Sequence, residues 1–260
     1  MYNRATVAQK IRIIGIVLSC ASAACAQGVN PGVTLIAPGG IRAAIEQMLP
    51  GFERTTGLKL KATFGSGLGT KRQVAQGEPF DVPIVQPPYP EVLASGNVVV
   101  GSAKTLASVA VGIAVRKGAA KPDISTADAV KRLLLAAKSV SYPDGAAGAA
   151  AGVSFDDTLR RLGISDQMQP RLKRAQGGAG AMAMVAHGEA EIGLTFVSEM
   201  EDPGVDVVGE LPASISPPTT LVGFVSTHAK DPAAAQRLLD YLSSSQVAPV
   251  YRALRMHPGS

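Results

Sequence analysis

The sequence predicts an α/β fold arranged as two lobes, and three observations carry that prediction. Short apolar runs alternate with stretches of helical period along most of the chain, the pattern of strands covered by helices. Glycine-rich turns fall where those strands give way to helices, as short strand-to-helix connections require. The composition, 46% hydrophobic against 17% charged, excludes a disordered chain. At 260 residues there is room for two lobes with cores of their own.

The first segment has a different character. Arg4, Lys10 and Arg12 precede the apolar run 13–18, and small residues follow as far as Ala26. A basic start, a short apolar stretch and Ala24-Cys25-Ala26 form a secretory signal with an A-x-A cleavage site, expected to be cut after Ala26. The apolar run is far short of the roughly 20 residues that span a bilayer. Lipoprotein processing at Cys20 is the competing reading of this segment. Both cysteines fall within residues 1–26, as do three bases and no acids. The formal charge of +5 therefore reports export, and the mature chain is expected to be near-neutral and free of thiols.

The strands and helices follow in order. Residues 33–37 read as a strand ending in Pro38-Gly39-Gly40, and Ile41, Ile45, Met48, Leu49 and Phe52 recur at helical spacing up to Gly57. Residues 58–64 alternate as a strand, 65–69 form a second glycine turn, 70–76 a helix and 82–85 a third strand. The pattern restarts with a strand over 109–116 and a helix over 125–137, with Ser125 as N-cap and Asp128 in a capping-box position. A strand over 139–142 leads through Pro143-Asp144-Gly145 into a helix ending at Leu162. Gly177-Gly178-Ala179-Gly180 opens a helix to His187, with Gly188 as its stop. Strands over 192–196, 205–208 and 221–227 and helices over 232–243 and 246–254 complete the chain. Parallel sheets covered on both faces are expected. The expected division is a signal peptide over 1–26, one lobe from 27–107 plus 213–260, and a second from 108–212, with the proline-rich 214–218 as the return crossover.

The glycine turns at 39–40, 65–69, 145–152 and 177–180 are the main chemical signal. Each presents unpaired backbone N–H groups and the positive end of a helix dipole. In open α/β sheets such turns gather at the carboxyl ends of the strands, so a cleft between the lobes would be ringed by donors suited to an anion. Arg42, Lys71 and Arg72 stand at or near the starts of two of these helices. Each feature also has a plain structural reading: glycine serves short turns with or without a ligand, lone cations are commonly solvated, and Tyr142 and Phe196 at strand ends suit a core. Other motifs fail. The run 65–72 lacks the last glycine of a dinucleotide loop and the G-K-[ST] of a P-loop, and His187, His228 and His257 lack metal spacing. No G-x-S-x-G elbow is present, and six Phe with no Trp offer no surface for single-stranded nucleic acid. No cofactor, metal or nucleic-acid partner is expected, and the chain carries no oligomerisation signal, so a monomer is expected.

Several blocks in succession resemble a known family. They are Ile36-Ala37-Pro38-Gly39-Gly40-Ile41, Phe52-Glu53-Arg54-Thr55-Thr56-Gly57, Phe64-Gly65-Ser66-Gly67 with Gln76-Gly77-Glu78-Pro79-Phe80-Asp81-Val82, and Gly188-Glu189-Ala190-Glu191-Ile192-Gly193-Leu194, with Leu239-Asp240-Tyr241-Leu242-Ser243-Ser244 near the end. Together they resemble the periplasmic molybdate-binding protein family. The resemblance implies a type II periplasmic-binding-protein fold, two Rossmann-like lobes joined by a hinge and closing on a small solute. The position of the family's first-turn serine is Gly40, Ser66 is kept, and the family's strand-end tyrosine corresponds to Phe196. Two hydroxyl donors to an oxyanion are thus missing, each worth about 1–3 kcal/mol in such a site. That shifts the expectation from molybdate or tungstate to an organic carboxylate gripped by Arg42, Lys71 and Arg72. The candidate ligand-contacting set is Gly39, Gly40 and Arg42 from the first turn and Ser66, Gly67, Lys71 and Arg72 from the second. Tyr142, Asp144 and Ala146 come from the third, and Gly178 and Ala179 from the fourth, with Phe196 beside them. The blocks 112–118, 121–124 and 134–139 are similar to a branch containing aconitate isomerase. Isomerising a tricarboxylate needs one group that moves a proton between carbons, and Lys71, Tyr142 and Asp144 are the candidates. The leading expectation is a periplasmic solute-binding protein serving an ABC permease in the inner membrane, with isomerase activity or molybdate binding as alternatives.

Overall fold

The computed structural model describes residues 32–259. The expected signal segment, its cleavage site after Ala26 and Cys20 lie outside the described residues.

The first run of elements is β1 (Val33–Pro38), α1 (Arg42–Thr56), β2 (Leu60–Gly65), α2 (Gly67–Ala75), β3 (Val82–Val85), α3 (Pro90–Ala94) and β4 (Val98–Val109). The second is β5 (Val111–Arg116), α4 (Ala127–Ala136), β6 (Val140–Pro143), α5 (Ala150–Leu162), α6 (Ser165–Met168), β7 (Leu172–Ala175), α7 (Gly177–Ala186), β8 (Ile192–Phe196) and β9 (Val205–Glu210). The chain then returns as β10 (Thr219–Ser226), α8 (Pro232–Leu242), α9 (Ala248–Ala253) and β11 (His257–Pro258). These strands form a six-stranded sheet, β11-β4-β10-β3-β1-β2, and a five-stranded sheet, β7-β6-β8-β5-β9. The chain passes between the sheets at Ala110, from β4 to β5, and again through 211–218, from β9 to β10.

Local sequence accounts for each element. In α1 the spacing of Ala44, Ile45, Met48 and Phe52 turns one face onto the sheet, and Gly57 ends the helix at φ 70°, a left-handed conformation that glycine adopts without steric cost. The aromatic pair Phe52–Tyr241, 5.6 Å between centroids, docks α8 on α1, and the Tyr241 hydroxyl donates to the Met48 carbonyl at 3.2 Å. Buried Asp81 serves the same half: it accepts from the Thr34 N–H and hydroxyl at 2.7 and 2.6 Å and from the Lys230 N–H at 2.8 Å. One carboxylate thereby ties β1, the start of β3 and the loop before α8. Asp81→Ala strands these donors and is expected to cost about 3 kcal/mol, read as a fall in Tm of roughly 6–12 °C in a chain of this size.

The expected parallel sheets are corrected. β1–β2, β1–β3, β6–β7 and β6–β8 are parallel, but β10 runs antiparallel to β3 and β4, and β5 antiparallel to β8 and β9. The antiparallel members belong to the connections between the halves, which enter each sheet against its βα strands. The strand expected over 109–116 is broken at Ala110 into the end of β4 and all of β5. The helix expected to start at Ser125 is capped one residue later, where the Thr126 hydroxyl accepts from the Ala129 N–H at 3.1 Å. Ser125 instead closes a turn onto Asp123, so no capping box with Asp128 forms.

Candidate functional site

At the carboxyl end of β1 the chain makes a single 3-10 turn, Gly39–Ile41, before α1. β2 leads into α2 through Ser66, whose hydroxyl oxygen accepts from the Gly69 N–H at 3.0 Å and so keeps its own proton free to donate. β6 leads through 144–149 to α5, and β7 leads through Gln176 to α7. Residues of all these helix starts line one cleft of about 610 Å³: Gly39 and Gly40, Ser66 and Gly67, Ala149 to Ala151, and Gly177 and Gly178. Their free N–H groups and aligned dipoles make the space between the halves electropositive without any side chain. Hydrogen bonds cross between the halves beside it. The Leu68 N–H donates to the Gly148 carbonyl at 3.2 Å, and the Ser198 hydroxyl to the Gly40 carbonyl at 2.9 Å.

Gly40 and Phe196 form one steric unit. A Cβ at position 40 would stand 3.1 Å from the Phe196 ring, closer than ordinary contact permits. The ring of Phe196 occupies the space that a side chain at 40 would need, so the glycine and the ring pack as a pair.

Five polar side chains complete the lining: Gln86, Asp144, Arg174, Gln176 and Glu199. Arg174 and Asp144 form an ion pair at 3.6 Å, and the arginine remains half exposed. Gln86 is 3% exposed, and neither its amide nitrogen nor its oxygen has a partner. Glu199 follows β8 on a 3-10 turn. Burial pushes its carboxyl above the ordinary glutamate range, against smaller opposing effects of the Thr195 hydroxyl and the Phe196 N–H. A group that binds its proton more tightly when folded stabilises fully below its unfolded pKa of about 4.3, and that stability is lost as pH rises through the folded value. Glu199→Gln is therefore expected to narrow the fall in Tm between pH 5 and pH 8, measured against wild type by thermal denaturation. Asp156, also raised by burial, contributes equally to both proteins and cancels in the difference.

Of the residues singled out from sequence, Gly39, Gly40, Ser66, Gly67, Asp144, Gly178 and Phe196 line the cleft. The lining does not include Arg42, Lys71, Arg72, Tyr142, Ala146 or Ala179. Arg42 lies over the Phe64 ring at 4.7 Å and 4.0 Å from Glu46, because the helix turns its side chain to the outer face. Lys71 donates to the Pro88 carbonyl at 2.7 Å and faces Glu91, while Arg72 and Ala179 are exposed. Tyr142 is buried below the third turn, edge-on to Phe155 with centroids 5.1 Å apart, and burial with the nearby negative charge of Asp156 pushes its hydroxyl up. The Ala146 N–H is taken by Asp144 at 3.0 Å. Sequence reasoning missed Gln86, Arg174, Gln176 and Glu199. Arg174 sits in a four-residue strand without an apolar run, and Glu199 is one of three acids in the run 199–202, so neither stood out.

A family model for bacterial extracellular solute-binding proteins matches residues 33–253. The chain belongs to that family. Among the relatives of this solute-binding protein, aconitate isomerase from a Pseudomonas species is 34% identical over 223 residues, covering 83% of this chain and 84% of that protein. The molybdate-binding protein ModA of Azotobacter vinelandii is 29% identical over 242 residues, covering 91% of each. The structure of the Azotobacter vinelandii periplasmic molybdate-binding protein superposes with a TM-score of 0.72 at 18% identity, covering 88% of this chain and all of that one. That likeness shows the fold, the two-lobed type II periplasmic-binding-protein fold. Among the described residues no helix is long and apolar enough to cross a membrane.

Proposed function

We propose that this solute-binding protein captures a small organic carboxylate in the cleft between its lobes, in the periplasm, and delivers it to an ABC permease. The observation that carries the reading is the convergence of helix starts on one cleft that also holds Arg174 and the unpartnered amide of Gln86. Free N–H groups and a guanidinium suit a carboxylate, and a buried amide with no protein partner is a polar group that a ligand can satisfy. A volume of about 610 Å³ is in the range of clefts that enclose whole organic ligands. Gly40 and Phe196 carry no hydroxyl donor, which weighs against molybdate and tungstate. In this reading residues 1–26 direct export, 27–107 with 213–260 form one lobe, 108–212 form the other, and the protein works as a monomer.

A second reading is an isomerase of an unsaturated tricarboxylate such as aconitate. It is favoured by the 34% identity to aconitate isomerase and by a titratable carboxyl, Glu199, in the cleft lining. Lys71 and Tyr142 stand outside that lining, and Asp144 is held in an ion pair, which leaves Glu199 as the group for proton transfer. A thermal-shift panel of molybdate, tungstate, sulfate and di- and tricarboxylates tests the first reading. A ligand at 100 times its dissociation constant should add about 2.7 kcal/mol. Selective stabilisation by molybdate would refute the carboxylate. Proton NMR of cis-aconitate incubated with the protein tests the second, with appearance of the trans isomer as the positive result.

A further inference from the structure

We propose that Glu199 meets the bound anion as a neutral carboxylic acid and donates a hydrogen bond to it, so that each anion is captured together with a proton. The inference rests on the carboxylate reading and specifies how that cleft holds its ligand.

The carboxyl is wedged between two of the helix starts. A Cβ at Gly178 would collide with its Oε2, and a Cβ at Gly39 would stand 3.6 Å from its Oε1. The two oxygens therefore have different duties. Oε2 accepts from the Thr195 hydroxyl beneath the fourth turn, and Oε1 faces the first turn, where the donors for an anion converge. The groups around it are neutral: the Thr195 hydroxyl and Phe196 N–H from β8, the Gly178 backbone of α7, and Gly39 from the first turn. Among the described residues no lysine, arginine or histidine pairs with it, and Arg174, the cation in the lining, is paired with Asp144. A charged carboxylate there would have no countercharge and would repel an incoming anion. The neutral acid has one proton to give and turns the same side chain into a donor. Gln86 provides an independent sign that the cleft floor awaits a ligand, since its amide is buried and without partners on the same lining. Burial raises the carboxyl before any ligand arrives, and the negative charge of the ligand raises it further, so binding takes up a proton wherever the free side chain is ionised.

Trans-aconitate, fully ionised above neutral pH, is the probe. Calorimetric titration from pH 7 to 9 in two buffers of different ionisation heat is expected to show uptake of up to one proton per anion, with affinity falling towards tenfold per pH unit once Glu199 ionises. Glu199→Gln keeps a donor of the same shape and should bind with affinity independent of pH and without buffer-dependent heat. Glu199→Ala should bind at least tenfold more weakly, also without pH dependence. In the trans-aconitate complex at pH 7, carboxyl-labelled glutamate followed by carbon NMR should show one protonated carboxyl resonance, absent from Glu199→Gln. A Glu199 resonance that is ionised in the trans-aconitate complex at pH 7, or a Glu199→Gln variant retaining the wild-type proton uptake, overturns the proposal while leaving carboxylate capture intact. Failure of trans-aconitate to bind a protein whose Glu199 is protonated overturns both the proposal and its carboxylate ligand.

Discussion

Arg174→Ala is expected to weaken binding of a carboxylate ligand by about 10- to 150-fold, the equivalent of losing one charge-assisted hydrogen bond worth about 1.5–3 kcal/mol. Arg174 is the one cation in the cleft lining among the described residues, and its partner Asp144 occupies the same lining. Removing the guanidinium therefore does two things. It takes away the ligand's countercharge and leaves Asp144 as an unopposed negative charge facing an anion. Arg174→Lys should recover part of the affinity, since it restores charge without the two-pronged geometry. Arg42→Ala should leave affinity unchanged, because Arg42 is engaged with Phe64 and Glu46 away from the lining. Calorimetric titration of the three variants checks the series.

Phe155→Ala is expected to give the largest loss of stability, about 3–5 kcal/mol, as befits an aromatic ring removed from a fully buried position. Phe155 is 0% exposed and packs edge-on against Tyr142, joining α5 to the end of β6. Those two elements position the third helix start at the cleft, so the cavity should also loosen the N-terminus of α5. The expected result is a fall in Tm of roughly 6–20 °C, together with reduced ligand affinity at a temperature where the variant is still folded. Thermal denaturation followed by titration at 15 °C separates the two effects.

The periods along the chain were enough to place most helices and the shorter buried strands, because β1, β3 and β8 are apolar on nearly every residue and α1 shows a clean face. β4 escaped because its outer residues alternate between exposed and half-buried positions and include Gly101, Ser102 and Lys104. The direction of β5 and β10 escaped for a different reason: local sequence says that a strand forms, whereas its orientation follows from the path of the chain between the halves. At the site, the glycine turns were legible because short strand-to-helix connections constrain their own residues. The cations were not. Position at a helix start does not say which way a long side chain points, and Arg42 and Lys71 find Glu46 and the Pro88 carbonyl on the outside. Arg174 reaches the lining from β7, beside Tyr142 in the pairing of β6 with β7, and only that register brings it there.

Recognition of a carboxylate by the ring of helix starts is what the proposed function depends on. Its most direct test is a calorimetric comparison of trans-aconitate, citrate, sulfate and molybdate on wild type and Gly178→Val. A side chain at 178 would run into the oxygens of Glu199 and Thr195 and intrude on the cleft. The expected result is one carboxylate bound per chain, at least tenfold more tightly than molybdate, and no measurable binding to Gly178→Val. Molybdate bound more tightly than every carboxylate, or a carboxylate bound equally well by Gly178→Val, would contradict it.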